Sequence, residues 1–241
     1  MTRIALEIAV DGPAGARTAF ESGADRVELC QALAATGGLT PSGATVDAVL
    51  AVAGDPARVA VLVRPRGGGF VYTAEEVDLV AADIADVVRR GAGAVVVGAL
   101  TAAGAVDRRA LDAWRQAAGA ADLVFHRAID AVPEPAGIVD DLIAGGVRRV
   151  LSSGRATRSI DGVETLRGLV AAADGGLEIM AGGGVRVEDV AGLLAAGVDA
   201  VHLSARRPSG DTTPSGPGGG DPGFDVTDAE IVRRAAAALR G

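Results

Sequence analysis

The chain contains no lysine: all 23 of its basic residues are arginine. Schiff-base chemistry through a lysine side chain is therefore excluded, and with it one common route to carbon–carbon bond cleavage. Aromatic residues make up only 2 % of the sequence, so Val, Leu, Ile and Ala must fill the core. A single cysteine, Cys30, can form no internal disulfide, which fits a reducing compartment. No segment reaches the ~20 apolar residues needed to span a bilayer, and no basic amphipathic stretch suggests membrane docking. Positive charge is also in deficit. A net charge of −8 argues against a nucleic-acid binder, because phosphate backbones demand a basic surface. Met1-Thr2-Arg3 leads almost directly into Ile4-Ala5-Leu6, without the apolar run of a signal peptide. The expected location is the cytoplasm.

What the chain has is alternation. Short β-branched runs recur between longer Ala/Leu/Val-rich stretches, predicting strands at Arg3–Ala9, Arg26–Cys30, Val59–Arg64, Ala94–Gly98, Asp122–His126, Arg148–Ser152, Leu177–Ala181 and Ala200–Ser204. Each is short and apolar, as parallel strands buried on both faces must be. Helices fill the gaps. Thr73 with Glu76 and Thr227 with Glu230 have capping-box spacing, and Thr40-Pro41 suits an N-cap followed by the first helical residue. Glycine precedes the even-numbered strands in Gly23-Ala24-Asp25, Gly91-Ala92-Gly93, Gly145-Gly146-Val147 and Gly197-Val198-Asp199, where it can end a helix in the left-handed conformation. That recurrence predicts a repeated βαβα unit. Four such units make a (βα)8 TIM barrel, and the 241 residues match the ~250 typical of one. Residues 1–241 then form a single α/β domain. An open doubly wound sheet is the rival, but it would not usually alternate so uniformly through eight strands. From Arg206 to Phe224 the chain is dominated by Pro, Gly, Ser, Thr and Asp, and Gly218-Gly219-Gly220 offers nothing to grip a ligand. This stretch reads as a flexible loop rather than a lid.

Functional groups of such barrels lie at the C-terminal ends of strands and in the loops that follow. Those positions hold Glu7 on the first strand, Glu28 and Cys30 on the second, and Arg64-Pro65-Arg66-Gly67-Gly68 after the third. The fifth ends in His126-Arg127 with Asp130 close behind, the sixth in Ser152-Ser153-Gly154, and the seventh in Ala181-Gly182-Gly183-Gly184. The eighth adds His202 and Ser204. Charged groups in apolar strands are costly unless paired or useful. Residues two apart share a strand face, which groups Glu28 with Cys30, Arg64 with Arg66, and His202 with Ser204.

These residues carry a family resemblance. Leu6-Glu7-Ile8, Gly23-Ala24-Asp25-Arg26-Val27-Glu28-Leu29-Cys30, Gly37-Gly38-Leu39-Thr40-Pro41-Ser42, Arg64-Pro65-Arg66-Gly67-Gly68 and Phe125-His126-Arg127-Ala128 resemble motifs of the CutC family. Val150-Leu151-Ser152-Ser153-Gly154, Met180-Ala181-Gly182-Gly183-Gly184-Val185 and His202-Leu203-Ser204-Ala205 continue the series in order. The resemblance implies a cytoplasmic (βα)8 barrel, a homo-oligomer such as a dimer or tetramer, and a part in copper homeostasis or copper binding. Ala9 departs from the family pattern, standing where many relatives have cysteine, and the loop after Arg206 lacks the larger residues expected there.

Three readings of the site compete. Copper(I) prefers thiolate and thioether ligands, with imidazole acceptable, and the donors here are Cys30, Met180, His126 and His202. No CxxC clamp is present, and a lone strand cysteine also reads as core packing. An anionic small molecule is the second reading. Arg64, Arg66 and Arg127 could meet a phosphate or carboxylate, and the Gly182–Gly184 turn could present backbone N–H groups, although it also reads as a plain tight turn. Third, Glu7, Glu28, His126 and His202 make either a hard divalent-metal site or, for the glutamates, an ion-pair network with the arginines. If chemistry occurs, Glu28 and His126 are the acid–base candidates. Ser152 and Ser153 have no identifiable activating triad, and Trp114 reads as helix packing.

Overall fold

The structure is a computed structural model that describes residues 4–210, 212–213, 216 and 223–241. Eight parallel strands close a barrel in sequence order: β1 (Ala5–Val10), β2 (Arg26–Leu29), β3 (Val59–Leu62), β4 (Ala94–Val97), β5 (Asp122–Phe125), β6 (Val147–Ser152), β7 (Glu178–Gly182) and β8 (Ala200–Leu203). Closure sets Glu7 of β1 opposite His202 of β8 and Arg26 of β2. The helices follow their strands: α1 (Pro13–Glu21), α2 (Leu33–Thr36), α3 (Gly43–Ala53), α4 (Ala74–Arg89), α5 (Arg108–Ala118), α6 (Val139–Ala144), α7 (Val163–Ala173), α8 (Val190–Ala195) and α9 (Ala229–Arg240).

Strand alternation divides the apolar residues into two cores. Outward positions such as Leu6, Ile8, Val61, Val95 and Leu123 join the helices in one large cluster. Inward positions supply a smaller cluster of Cys30, Ala60, Leu62, Ala94, Val96 and Val124, and another of Leu151, Met180 and Ala200. With so few aromatics the large cluster leans on single fitted rings. Trp114 of α5 is 1 % exposed and donates its indole N–H to the Val77 carbonyl of α4 at 3.1 Å, the packing role expected of it.

The caps agree with expectation only in part. Thr73 and Glu76 form a reciprocal capping box at α4: the Glu76 N–H reaches Thr73 Oγ1 at 3.2 Å, and the Thr73 N–H reaches Glu76 Oε2 at 2.8 Å. Thr40 does not cap α3. Ser42 does, while Thr40 exchanges hydrogen bonds with the Arg64 backbone and ties the segment before α3 to the end of β3. Likewise Asp228, not Thr227, caps α9, because Thr227 belongs to a short strand, β10 (Asp225–Thr227). That strand pairs antiparallel with β9 (Arg206–Pro208), so the expected 206–224 loop opens with one strand of a two-stranded ribbon and is followed by the other. Much of the rest of that loop, including Gly218–Gly220, lies outside the described residues.

Candidate functional site

The barrel interior beneath its C-terminal mouth is ionic on one side and apolar on the other. On the ionic side Glu7, 1 % exposed, accepts from Arg26 Nε at 2.7 Å and from His202 Nδ1 at 2.9 Å. Arg26 also reaches Glu178 and lies 3.4 Å from the Met180 sulfur, and Arg149 binds Glu178 at 2.8 Å. Two glutamates therefore balance two arginines. Sequence reasoning overlooked Arg26, Arg149 and Glu178, although each sits two residues before an inward position, a parity that could have found them.

Glu28 is the surplus charge. It is 5 % exposed, makes no hydrogen bond among the described residues, and its Oε2 is buried without a partner. Burial raises its carboxyl to about 7; the nearby Glu7 adds to the rise, and His202 and Arg149 oppose it. Burial alone would raise Glu7 as well, but the His202 hydrogen bond and the charge of Arg26 outweigh it and hold Glu7 at about 2. Burial works against a charge on His202, yet its bonds to Glu7 and its nearness to Glu28 raise it above its ordinary value. Glu7, Glu28 and His202 present oxygen and nitrogen atoms within 4.8 Å of one another. Glu7 thus serves the expected ion-pair network, although with Arg26 rather than the arginines of the mouth, and Glu28 does not serve it.

Above this layer lies a cavity of about 260 Å³. Glu28, Arg64, His126, Arg127, Gly183, Gly184, His202 and Ser204 line it, so eight of the residues singled out in the sequence converge there. Leu33, Leu62, Phe70, Leu151 and Val185 make its apolar wall.

Arg64 is 7 % exposed, and among the described residues no carboxylate lies in ion-pair range of it. Its guanidinium donates to the carbonyls of Thr36, Gly38 and Gly68 at 2.7–3.2 Å, pinning two mouth loops, and its Nε is buried without a partner. Arg127 is held by Asp130 at 2.9 Å and donates to Ser153 Oγ at 2.9 Å. Its guanidinium packs over Gly183, where φ is +122° and an added Cβ would lie 3.0 Å from Arg127 Cζ.

His126 is fixed by two neighbours. Its Nδ1 accepts the Ala128 N–H at 3.1 Å, so the ring proton of the neutral imidazole resides on Nε2, which is buried with no partner among the described residues. Gly98 makes room for the ring: a Cβ there would lie 2.4 Å from Cε1 and Nδ1. Burial, reinforced by the Arg64 charge, lowers the imidazole to about 3. Of the two acid–base candidates, His126 is thus kept neutral, and Glu28 is the one brought near neutrality.

Other expected site residues lie elsewhere. Arg66, 42 % exposed along its side chain, binds Glu76 at the start of α4 and does not line the cavity. Gly182 is not a lining residue either. Asp130 accepts the Ser152 hydroxyl at 2.6 Å and the Ser153 N–H at 3.0 Å, and the three form a knot that orients Arg127 from behind. Cys30 is fully buried with its thiol 3.8 Å from the Val10 carbonyl, and burial raises its pKa. Met180, also fully buried, faces Arg26. The thiol thus faces a carbonyl and the thioether a guanidinium, surroundings that oppose a tightly held Cu(I) ion.

The closed ring of eight parallel strands with its helices outside defines the molecule as a (βα)8 barrel. The chain belongs to the CutC family, whose pattern it matches over residues 4–207. A family protein CutC of Xylella fastidiosa is 40 % identical over 237 residues, covering 95 % of this chain and 86 % of the relative. One from Xanthomonas campestris is 43 % identical over 206 residues, covering 84 % of each. The crystal structure of CutC from Streptococcus agalactiae, provisionally described as a copper homeostasis protein, superposes with a TM-score of 0.78 at 32 % identity. That match covers 83 % of this chain and 98 % of the other.

Proposed function

We propose that the protein binds a small carboxylate- or phosphate-bearing molecule in the mouth cavity. Arg64 carries this reading: a buried guanidinium with no carboxylate partner among the described residues lines the space a ligand would fill. A buried charge is stable only when paired, and backbone carbonyls orient Arg64 without neutralising it. Arg127 and the Gly183–Gly184 backbone stand on the same rim and suit the same ligand. At about 260 Å³ the cavity lies just below the ~300–1,000 Å³ of pockets for drug-sized ligands, which sets the ligand at a few carbons. The net charge of −8 and the single buried cysteine suit a cytoplasmic protein, and we place it there as a homo-oligomer.

Thermal-shift and calorimetric titrations with inorganic phosphate, pyruvate and dihydroxyacetone phosphate test the reading. Saturable binding is expected, lost in Arg64→Met and weakened in Arg127→Met. Circular dichroism separates lost binding from lost folding. Unchanged affinity in a folded Arg64→Met protein defeats the proposal.

Copper handling is a second reading. It is favoured by the description of the Streptococcus agalactiae relative. Copper is then cargo, and the donors around Cys30 and Met180 suit weak or transient contact rather than a resident ion.

A further inference from the structure

The strongest unassigned feature is a contrast within the mouth. Glu7 is held by Arg26 and His202 and Glu178 by Arg26 and Arg149, whereas Glu28, one strand away from Glu7, has no hydrogen bond among the described residues. A structural carboxylate in the same layer takes a partner, because a buried acceptor left without one loses its hydration with nothing in return. His126 repeats the pattern with the opposite polarity: a buried N–H without an acceptor. One unpaired acceptor and one unpaired donor line the same cavity.

We propose that Glu28, acting with His202, reversibly removes a proton from the carbon beside a carbonyl group of a small anionic substrate, while the Nε2–H of His126 holds the oxygen that becomes negative. This rests on the anion-binding reading, in which Arg64 and Arg127 anchor the substrate's charged end.

The electron count closes without any co-reactant. A Glu28 carboxylate oxygen takes the proton, the C–H pair becomes the carbon–carbon double bond of an enolate, and the carbonyl π pair moves to oxygen. His126 donates to that oxygen from Nε2. Return of the proton to the same carbon gives exchange or epimerisation. In a hydroxy-carbonyl substrate, delivery to the former carbonyl carbon, with a proton moved between the two oxygens, gives the isomer.

Each group is suited to its step by its surroundings. His202 gives its Nδ1–H to Glu7, leaving Nε2 as the nitrogen that can exchange a proton. Glu28 and His202 atoms lie within 4.8 Å, so the charge on one biases the proton on the other, over a charge-balanced base of Glu7, Arg26, Arg149 and Glu178. A carboxyl lifted to about 7 is both partly ionised and basic enough to accept a carbon-bound proton at neutral pH. His126 must be a neutral donor to serve an oxyanion without first losing its own proton to solvent. The Ala128 N–H fixes that tautomer, and the Arg64 charge opposes protonation of the ring. The apolar wall of Leu62, Phe70 and Leu151 keeps the local dielectric low, which strengthens both contacts. His202 acts through Glu28 and is a positioning residue.

The experiment follows deuterium from solvent into pyruvate and dihydroxyacetone phosphate by NMR, with binding of each probe measured in parallel. Wild-type protein is expected to speed incorporation beside the carbonyl at least 100-fold over buffer. Glu28→Gln should return the rate to that of buffer while still binding the probe. His126→Phe should slow exchange by a similar factor. His202→Asn should shift the pH profile of exchange rather than abolish binding. Binding without exchange in wild type overturns the proton-transfer proposal and leaves anion binding standing. Exchange that survives Glu28→Gln also overturns it. Absence of binding to either probe overturns the anion-binding reading and this proposal with it.

Discussion

His202 Nδ1 lies 2.9 Å from Glu7 Oε1, while Arg26 Nε holds the other Glu7 oxygen at 2.7 Å. The first and last strands of the barrel are thus joined through side chains as well as through their backbone ladder. Both oxygens of the carboxylate are committed, and neither is free for a ligand.

Glu7→Gln keeps the shape and removes the charge that Arg26 and His202 need. Breaking one partner out of a buried ionic network costs about 3–5 kcal/mol. At about 2–4 °C per kcal/mol for a chain of this size, melting should fall by roughly 6–20 °C. Calorimetry checks this, and a drop of less than 2 °C would mean that the network contributes little. The same pair predicts acid sensitivity. Glu7 is lowered from 4.5 to about 2, so its contribution is fully present above pH 4.5 and is lost as pH falls from there through about 2.

Glu28 has the opposite sign. Its carboxyl is raised from 4.5 to about 7, so its contribution is intact below pH 4.5 and disappears as pH rises through 7. His202, also raised, adds to the same decline above its ordinary value, while Glu7 and Arg149 are the other charges acting on Glu28. Glu28→Gln should therefore be more stable than wild type at pH 8, by on the order of 3 kcal/mol, and close to equal at pH 4.5. Urea unfolding at the two pH values decides it. Equal stability at pH 8 would show that Glu28 is solvated in a way its burial does not suggest.

The eight strands were legible because parallel strands buried on both faces must be short apolar runs, and no other element among the described residues has that form. The expected Arg26–Cys30 and Asp122–His126 each run one residue past β2 and β5. The convergence of Glu28, Arg64, His126 and His202 was also legible, since topology alone sends strand ends to one mouth. Which charge meets which was not. Arg64 and Arg66 share a strand parity, yet Arg64 turns into the loops around Thr36 and Gly68 while Arg66 is drawn outward by the capping Glu76. Those partners lie 4 to 28 residues away along the chain, and only the folded loops bring them into reach. The tautomer of His126 depends in the same way on the turn Arg127–Ala131 that aims the Ala128 N–H back at the ring.

His126 gives a direct spectroscopic prediction, because the chain has only two histidines. With its imidazole lowered to about 3 by burial and by Arg64, its ring resonances should not move between pH 5 and 8. Nitrogen shifts should report a neutral ring protonated at Nε2. His202 should titrate above the ordinary histidine value. An imidazole of His126 that titrates near 6.5 would show that the ring is solvated and that the Ala128 contact does not hold it.

Copper provides the final test. The one thiol is fully buried, raised in pKa by that burial and by the nearby Glu28 charge, and turned to a carbonyl rather than to a second soft donor. Met180 faces Arg26, and Ala9 brings no sulfur to the first strand. Cys30 can bind Cu(I) strongly only as the thiolate, so binding there must displace the thiol proton, and affinity should be weak and rise with pH. Competition against a Cu(I) chelator under reducing conditions should give at most one site per chain, lost in Cys30→Ser while circular dichroism shows the barrel intact. Tight binding that survives Cys30→Ser would assign copper to the imidazoles or to Met180. The mouth would then be a metal centre, and the anion-binding reading would have to give way to the copper role suggested for the Streptococcus agalactiae relative.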